Sequence, residues 1–214
     1  MQIVEKEPRS SYAESFRSIK TNIKYSAFGK DKKVILITSA NPGEGKSTTA
    51  SNLALTLSMD NKKVILLDCD LRRPTIHKSF NISGLVGLSE LIIEEKELGE
   101  VITKYNENLD IIPAGNIPPN PAELLASEQM QNVLDELRLM YDYIIVDTTP
   151  LGVVADAQIL TSKTDGTILV ARQSKTKKDK LTNCKKMVEQ VNGKIIGVII
   201  NRVNQNGKDY YYYY

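Results

Sequence analysis

The chain has 214 residues, 41% of them hydrophobic and 25% charged, with a net charge of +2 at pH 7, which suits one α/β domain and argues against nucleic acid as a partner. Two cysteines far apart in sequence, Cys69 and Cys184, exclude a disulfide framework and a cysteine metal site, and point to a reducing compartment. No apolar run approaches a membrane span and the start lacks a signal peptide's apolar stretch, so a cytoplasmic protein is expected.

Met1 to Arg9 reads as an extended lead. Ser11-x-x-Glu14 reads as a capping box opening a helix to about Tyr25, with Phe16, Ile19 and Ile23 on one stripe. Glu14, Arg17 and Lys20 recur at three-residue spacing, which by periodicity alone is a capping glutamate followed by two solvated cations.

Lys32 and Lys33 precede an apolar strand, Val34 to Thr38, and a helix is expected over Ser47 to Ser58. Between them lies Ala40-Asn-Pro-Gly-Glu-Gly-Lys-Ser-Thr48. Strand, glycine turn and helix are the context that a phosphate-binding loop requires. Gly43 and Gly45 let backbone N–H groups approach a polyphosphate, and the helix N-terminus adds positive dipole. Lys46 would reach the β- and γ-phosphates, and the Ser47 hydroxyl would hold Mg²⁺. Ala40 stands where the strict pattern has glycine.

After a turn at Asn61 comes a buried strand, Val64 to Leu67, ending in Asp68-Cys-Asp70-Leu-Arg72-Arg73-Pro74. Carboxylates two apart face one way in an extended chain, and strand C-termini are the ligand edge of an open α/β sheet. Asp68 and Asp70 are therefore expected near the phosphates, against the plain alternative of a polar turn. Leu85 to Val101 reads as one irregular helix, with Glu94, Glu95 and Glu97 on a solvated face. Leu109 to Ile112 is a short strand, Gly115 to Pro121 a rigid loop, and Ser127 caps a helix to about Met140.

Tyr143-Ile-Ile-Val-Asp147 is an apolar strand ending in Asp, the Walker B arrangement. A short helix (Ala155 to Thr164), a strand (Gly166 to Ala171), a basic run (Lys175 to Lys180) opening a helix, and a last strand (Lys194 to Ile200) follow. The basic run reads as a solvated turn. The element order predicts a doubly wound, mostly parallel sheet flanked by helices. It forms one domain over residues 1–203, with the N-terminal helix at about 10–26 and a flexible tail over 204–214. That tail carries Tyr210, Tyr211, Tyr212, Tyr213 and Tyr214, with no hydrophobic period.

Four features together resemble the bacterial tyrosine kinases of capsule and exopolysaccharide synthesis. They are Ser39 to Thr48, the Walker A′ element Leu67 to Pro74, the Walker B element Ile144 to Pro150, and the terminal tyrosines. Ile117-Pro-Pro-Asn-Pro-Ala-Glu-Leu-Leu125 fits as well. The likeness runs from Glu14 to the tail, and implies ATP and Mg²⁺ as cofactors and a P-loop fold of the MinD/ParA-like subclass. Gly43, Glu44, Gly45, Lys46, Ser47 and Thr48 carry over as the nucleotide loop, with Asn201 and Arg202 where the wider fold holds adenine. Ser47, Asp70 and Asp147 look like the Mg²⁺ residues; Lys46, Asp68, Asp70 and Asp147 look catalytic, with Asp68 as base for the incoming tyrosine.

The resemblance implies autophosphorylation at Tyr210 to Tyr214 between subunits of a ring, held by the helix bearing Glu14, Arg17 and Lys20. The family has arginine where Lys20 stands, and lysine lacks its planar fork. A chain with no span resembles the branch activated by the cytoplasmic segment of a separate membrane protein, which would recruit it to the inner face of the membrane. Tyrosine-bearing proteins are the implied substrates. The rival reading is a MinD/ParA-type positioning ATPase without transfer to protein. Its P-loop carries an extra lysine where this chain has Asn41 or Pro42, and it has no tyrosine cluster.

Overall fold

The computed structural model describes residues 2–25 and 33–203. The tail expected over 204–214, with Tyr210 to Tyr214, lies outside the described residues, as does Lys32. Seven strands form one sheet: β1 (Val34–Ser39), β2 (Val64–Asp68), β3 (Thr103–Lys104), β4 (Leu109–Ile112), β5 (Tyr143–Asp147), β6 (Gly166–Arg172) and β7 (Ile195–Asn201). Their order is β3-β4-β2-β5-β1-β6-β7, and every pairing is parallel except that of β3 with β4. β1, β2 and β5 are buried at every position but Tyr143, as expected of a parallel sheet covered on both faces.

Alternation along β1 divides the core. Val34 and Leu36 join one apolar cluster, Ile35 and Ile37 the other. The helices are α1 (Ile3–Lys6), α2 (Ser11–Tyr25), α3 (Lys46–Ser58), α4 (Ile76–Phe80), α5 (Leu88–Ile92), α6 (Leu98–Val101), α7 (Pro121–Ala126), α8 (Glu128–Met140), α9 (Asp156–Lys163) and α10 (Lys178–Gln190). Among the described residues, no helix is long and apolar enough to cross a membrane.

α3 is buried from Thr49 to Ser58, so it lacks the apolar stripe of a surface helix. Its polar side chains are satisfied along its own backbone. Ser51 Oγ donates to Ser47 O at 2.8 Å and Thr56 Oγ1 to Asn52 O at 2.7 Å. The outer side of α3 is covered by the N-terminal segment. Val4 is buried and its N–H donates to Asn52 Oδ1 at 3.0 Å. The lead is therefore partly helical (α1), not extended, because it has α3 to pack against.

Other boundaries differ from expectation. The hydroxyl that accepts from the first turn of α2 belongs to Ser10, from Ala13 N at 3.2 Å, while Glu14 pairs with Arg17. A capping hydroxyl is thus supplied one residue before the expected Ser11. Leu85 to Val101 is two short helices: α5 ends where Glu94 adopts a left-handed φ of 61°, and α6 opens after it. The rigid loop ends as read, but Pro121 is the first residue of α7, where its missing N–H costs nothing. Ser127 caps α8, accepting from Met130 N at 3.2 Å.

Asp165 ties three elements together. One oxygen accepts from the N–H groups of Lys33 and Val34 at 2.7 and 2.8 Å, and Arg138 of α8 donates to both oxygens at 2.7 and 2.9 Å. Burial pulls its pKa up, but the Arg138 fork and the two N–H donors outweigh that and hold it below the usual carboxylate range. Asp165→Asn should therefore destabilise the domain by about 1–3 kcal/mol at pH 7 in urea unfolding. A depressed folded pKa contributes stability above the unfolded value near 3.8 and loses it as pH falls through the folded one. The gap between wild type and variant should shrink as pH falls below 3.8.

Candidate active site

Strand pairing assembles the site. β5 lies between β1 and β2, and Asp147 stands opposite Asp68 on β2 and Ile37 on β1. The glycine loop leaves the end of β1 and the Asp68–Pro74 segment leaves the end of β2, so both open on one edge with Asp147 between them. Gly43 and Gly45 have φ of 75° and 101°, the left-handed region that glycine enters without strain.

Lys46 opens α3 and its Nζ donates to Asp70 Oδ2 at 2.8 Å, with Ser47 Oγ at 3.5 Å. Burial lowers the Lys46 pKa, but the charges of Asp147 and Asp70 and the Asp70 bond outweigh it, and the net direction is up. Lys46 is a firmly charged ammonium. A cavity of about 740 Å³ opens beside it, lined by Gly43, Gly45, Lys46, Ser47, Thr48, Asp70, Arg72, Arg73, Thr149 and Arg202, among others.

Asp68 and Asp147 are fully buried. Asp68 accepts from the N–H groups of Thr75 and Ile76 at 3.0 and 2.9 Å, and from Asp70 N at 3.3 Å. Burial first, then the charge of Asp147, push its pKa up to about 7 against those two N–H donors of Thr75 and Ile76. Burial likewise pushes Asp147 up to about 6, with Lys46 and the Ser47 hydroxyl pulling the other way.

Neither oxygen of Asp147 has a well-formed hydrogen bond among the described residues. Buried carboxylate oxygens are rarely left so, and a hydrated cation would satisfy them. Among the described residues no three His, Cys, Asp or Glu form a ready-made cage. Mg²⁺ needs none, since it keeps waters and takes phosphate oxygens. The hard oxygen donors of Ser47, Asp70 and Asp147 fit it.

The remaining expected residues fall into two groups. Asn201 Nδ2 donates to Glu44 O at 2.9 Å, and Arg202 lines the cavity, so the end of β7 closes on the loop. The Glu44 side chain turns inward and is buried. It accepts from Ala40 N and Asn41 N at 3.0 and 3.1 Å, from Asn41 Nδ2 at 2.9 Å, and from the Thr176 hydroxyl. The Glu44 side chain therefore braces the loop and is not among the groups that line the cavity. Glu14, Arg17 and Lys20 do not join the cavity. Glu14 and Arg17 pair at 2.5 Å, Arg17 also donates to Pro8 O, and Lys20 pairs with Asp60 at 2.7 Å.

Sequence reasoning missed Asp156, Thr176 and the inward turn of Glu44. Asp156 binds Arg72 across 84 residues, and Thr176 binds Glu44 across 132, distances over which no local pattern speaks.

Strand order, glycine loop and carboxylate at the end of β5 define the class: a P-loop nucleotide-binding domain of the MinD/ParA-like kind. Residues 32–198 match the family model described as an AAA domain. Tyrosine-protein kinase YwqD of Bacillus subtilis (strain 168) is 41% identical over 209 residues, covering 97% of this chain and 88% of that protein. Tyrosine-protein kinase CpsD of Streptococcus agalactiae is 37% identical over 199 residues, covering 92% and 86%. Among solved structures, the kinase domain of Escherichia coli tyrosine kinase ETK matches with a TM-score of 0.93 at 31% identity, over 100% of this chain and 84% of that one. The chain belongs to the bacterial tyrosine-protein kinase family.

A Cβ on Gly45 would lie 2.0 Å from Asn201 Nδ2, at a φ that L-residues resist. Asn201 could swing aside, but only by releasing Glu44 O. Gly45→Ala should weaken ATP binding roughly 5- to 150-fold in a calorimetric titration, since such strain costs on the order of 1–3 kcal/mol. Unchanged affinity would contradict this account of the loop.

Proposed function

We propose that the chain is an ATP-dependent tyrosine kinase that phosphorylates Tyr210 to Tyr214 of a neighbouring copy in a ring and regulates capsular or exopolysaccharide synthesis and export. The observation that carries this reading is the register pair of Asp68 and Asp147 beside Lys46, in a chain that ends in five tyrosines. A tyrosine hydroxyl is neutral at physiological pH, with an ordinary pKa of about 10, and must lose its proton during transfer. Asp68, raised toward neutrality, is the base in this reading. Lys46 and the loop N–H groups stabilise charge on the transferring phosphoryl, whose loose transition state depends on positioning. Ser47, Asp70 and Asp147 would hold Mg²⁺, which when bound neutralises phosphate charge.

In the same reading, α2 contributes Glu14, Arg17 and Lys20 to self-association. The three then exchange their present partners within the chain for partners across the interface. A membrane protein's cytoplasmic segment recruits and activates the kinase at the inner face of the membrane. Each phosphate on the tail adds roughly −1.5 to −2 charges, so successive transfers drive neighbouring tails apart and loosen the ring.

Incubation with ATP, Mg²⁺ and an activator segment should produce phosphotyrosine. Lys46→Met should abolish it, and Asp68→Asn should lower kcat by roughly 10²- to 10⁴-fold while leaving the ATP KM in place. Phosphorylated samples should sediment as smaller species than unphosphorylated ones. Full activity in Lys46→Met would remove the central assignment, and identical sedimentation would remove the ring-loosening step.

A further inference from the structure

Arg72 follows Asp70 by two residues on the loop after β2. Its Nε and Nη2 donate to the two oxygens of Asp156, at 2.7 and 3.0 Å. Asp156 opens α9 and is wholly buried. A two-bond fork between guanidinium and carboxylate fixes the plane of the arginine as well as its position. Nη1 has no hydrogen-bond partner among the described residues. The Arg72 side chain stays 40% exposed and lines the cavity together with Lys46, Ser47 and Asp70.

The end of the cavity at which Arg72 stands follows from its neighbours. The Asp156 bond, and more weakly the charge of Asp70, hold the guanidinium firmly protonated. Asp70 in turn holds the Lys46 ammonium. A P-loop lysine reaches the β- and γ-phosphates, and Arg72 lines the same cavity two residues beyond the carboxylate that holds this lysine. A buried carboxylate is a poor choice for packing alone, because an apolar contact of similar volume is often as stable or more so. Its use here leaves an oriented cation, with Nη1 outside the fork, among the residues that line the cavity.

We propose that Asp156 is a positioning residue that aims the free edge of Arg72 at the γ-phosphate of bound ATP, making Arg72 a triphosphate-reading cation supplied in cis. This deepens the kinase reading and rests on ATP as the nucleotide.

Calorimetric titration of the full chain in Mg²⁺, with ADP and with the β,γ-methylene analogue of ATP, tests it. The readout is the ratio of the two affinities, which a purely structural pair would not move. Arg72→Gln should shift that ratio against the triphosphate by roughly 10- to 100-fold, the worth of a hydrogen bond to a charged group, with ADP affinity unchanged. Asp156→Asn should shift it in the same direction, through a released Arg72. Because either change leaves a buried or strained partner, the double variant Arg72→Met with Asp156→Leu replaces the fork by an apolar contact. It should keep wild-type ADP affinity and still lose the triphosphate. A wild-type ratio in Arg72→Gln or in the double variant would overturn the proposal. So would a parallel fall in both affinities, which marks a structural role. If the wild type bound neither nucleotide, the ATP reading itself would fail, and this inference with it.

Discussion

Three carboxylates converge on one lysine at the edge of a parallel sheet, and the rest of the molecule is arranged to tolerate that. Asp68 and Asp147 stand opposite each other on adjacent strands, both fully buried, with Asp70 two residues further on. Burial and the repulsion of neighbouring carboxylates favour the protonated forms of Asp68 and Asp147. Lys46 offsets part of the cost, and the N–H groups of Thr75 and Ile76 offset more at Asp68. Asp147 keeps no well-formed hydrogen bond among the described residues, and a buried carboxylate so placed is a site prepared for further cationic charge. The same arrangement that costs the fold stability suits a P-loop nucleotide site.

Holding those groups in place falls to elements some distance away. α3 must present Lys46 and Ser47 from its first turn, so it is buried on nearly every side and capped from outside by the Val4–Asn52 bond. Glu44 fastens the loop to its own backbone and to Thr176, and Asn201 fastens it to the end of β7. The strand that leads toward the tyrosine-bearing tail is thus bonded directly to the nucleotide loop. Rigid anchoring of this kind is what transfer by positioning requires, because a loose phosphoryl transition state gains little from covalent help.

Much of this was legible beforehand, for reasons that differ by residue. The glycine loop and the strand-terminal Asp68 and Asp147 are local patterns, and the parallel fold follows from alternating apolar runs and helices. The long Ser127-capped helix was legible from its cap. Short elements were not: α1 exists because α3 offers it a surface, and two-residue β3 carries no period. Glu94 broke an apparent helix through its backbone angle, which composition does not announce. Buried Glu90 carries no local signal either, yet it accepts from Gly87 N at 2.8 Å and Asn116 N at 3.1 Å and holds two loops together. Asp156 and Thr176 act on partners far along the chain, so only the folded structure shows them.

The central claim is that this edge passes the phosphoryl group to tyrosine and not to water. The most direct measurement mixes two full chains with ATP, Mg²⁺ and an activator segment. One carries Lys46→Met with its tail intact; the other keeps Lys46 and has Tyr210 to Tyr214 changed to phenylalanine. The account predicts phosphotyrosine on the Lys46→Met chain, delivered by its neighbour. ATP hydrolysis with no phosphotyrosine on either chain would contradict it and mark a positioning ATPase instead.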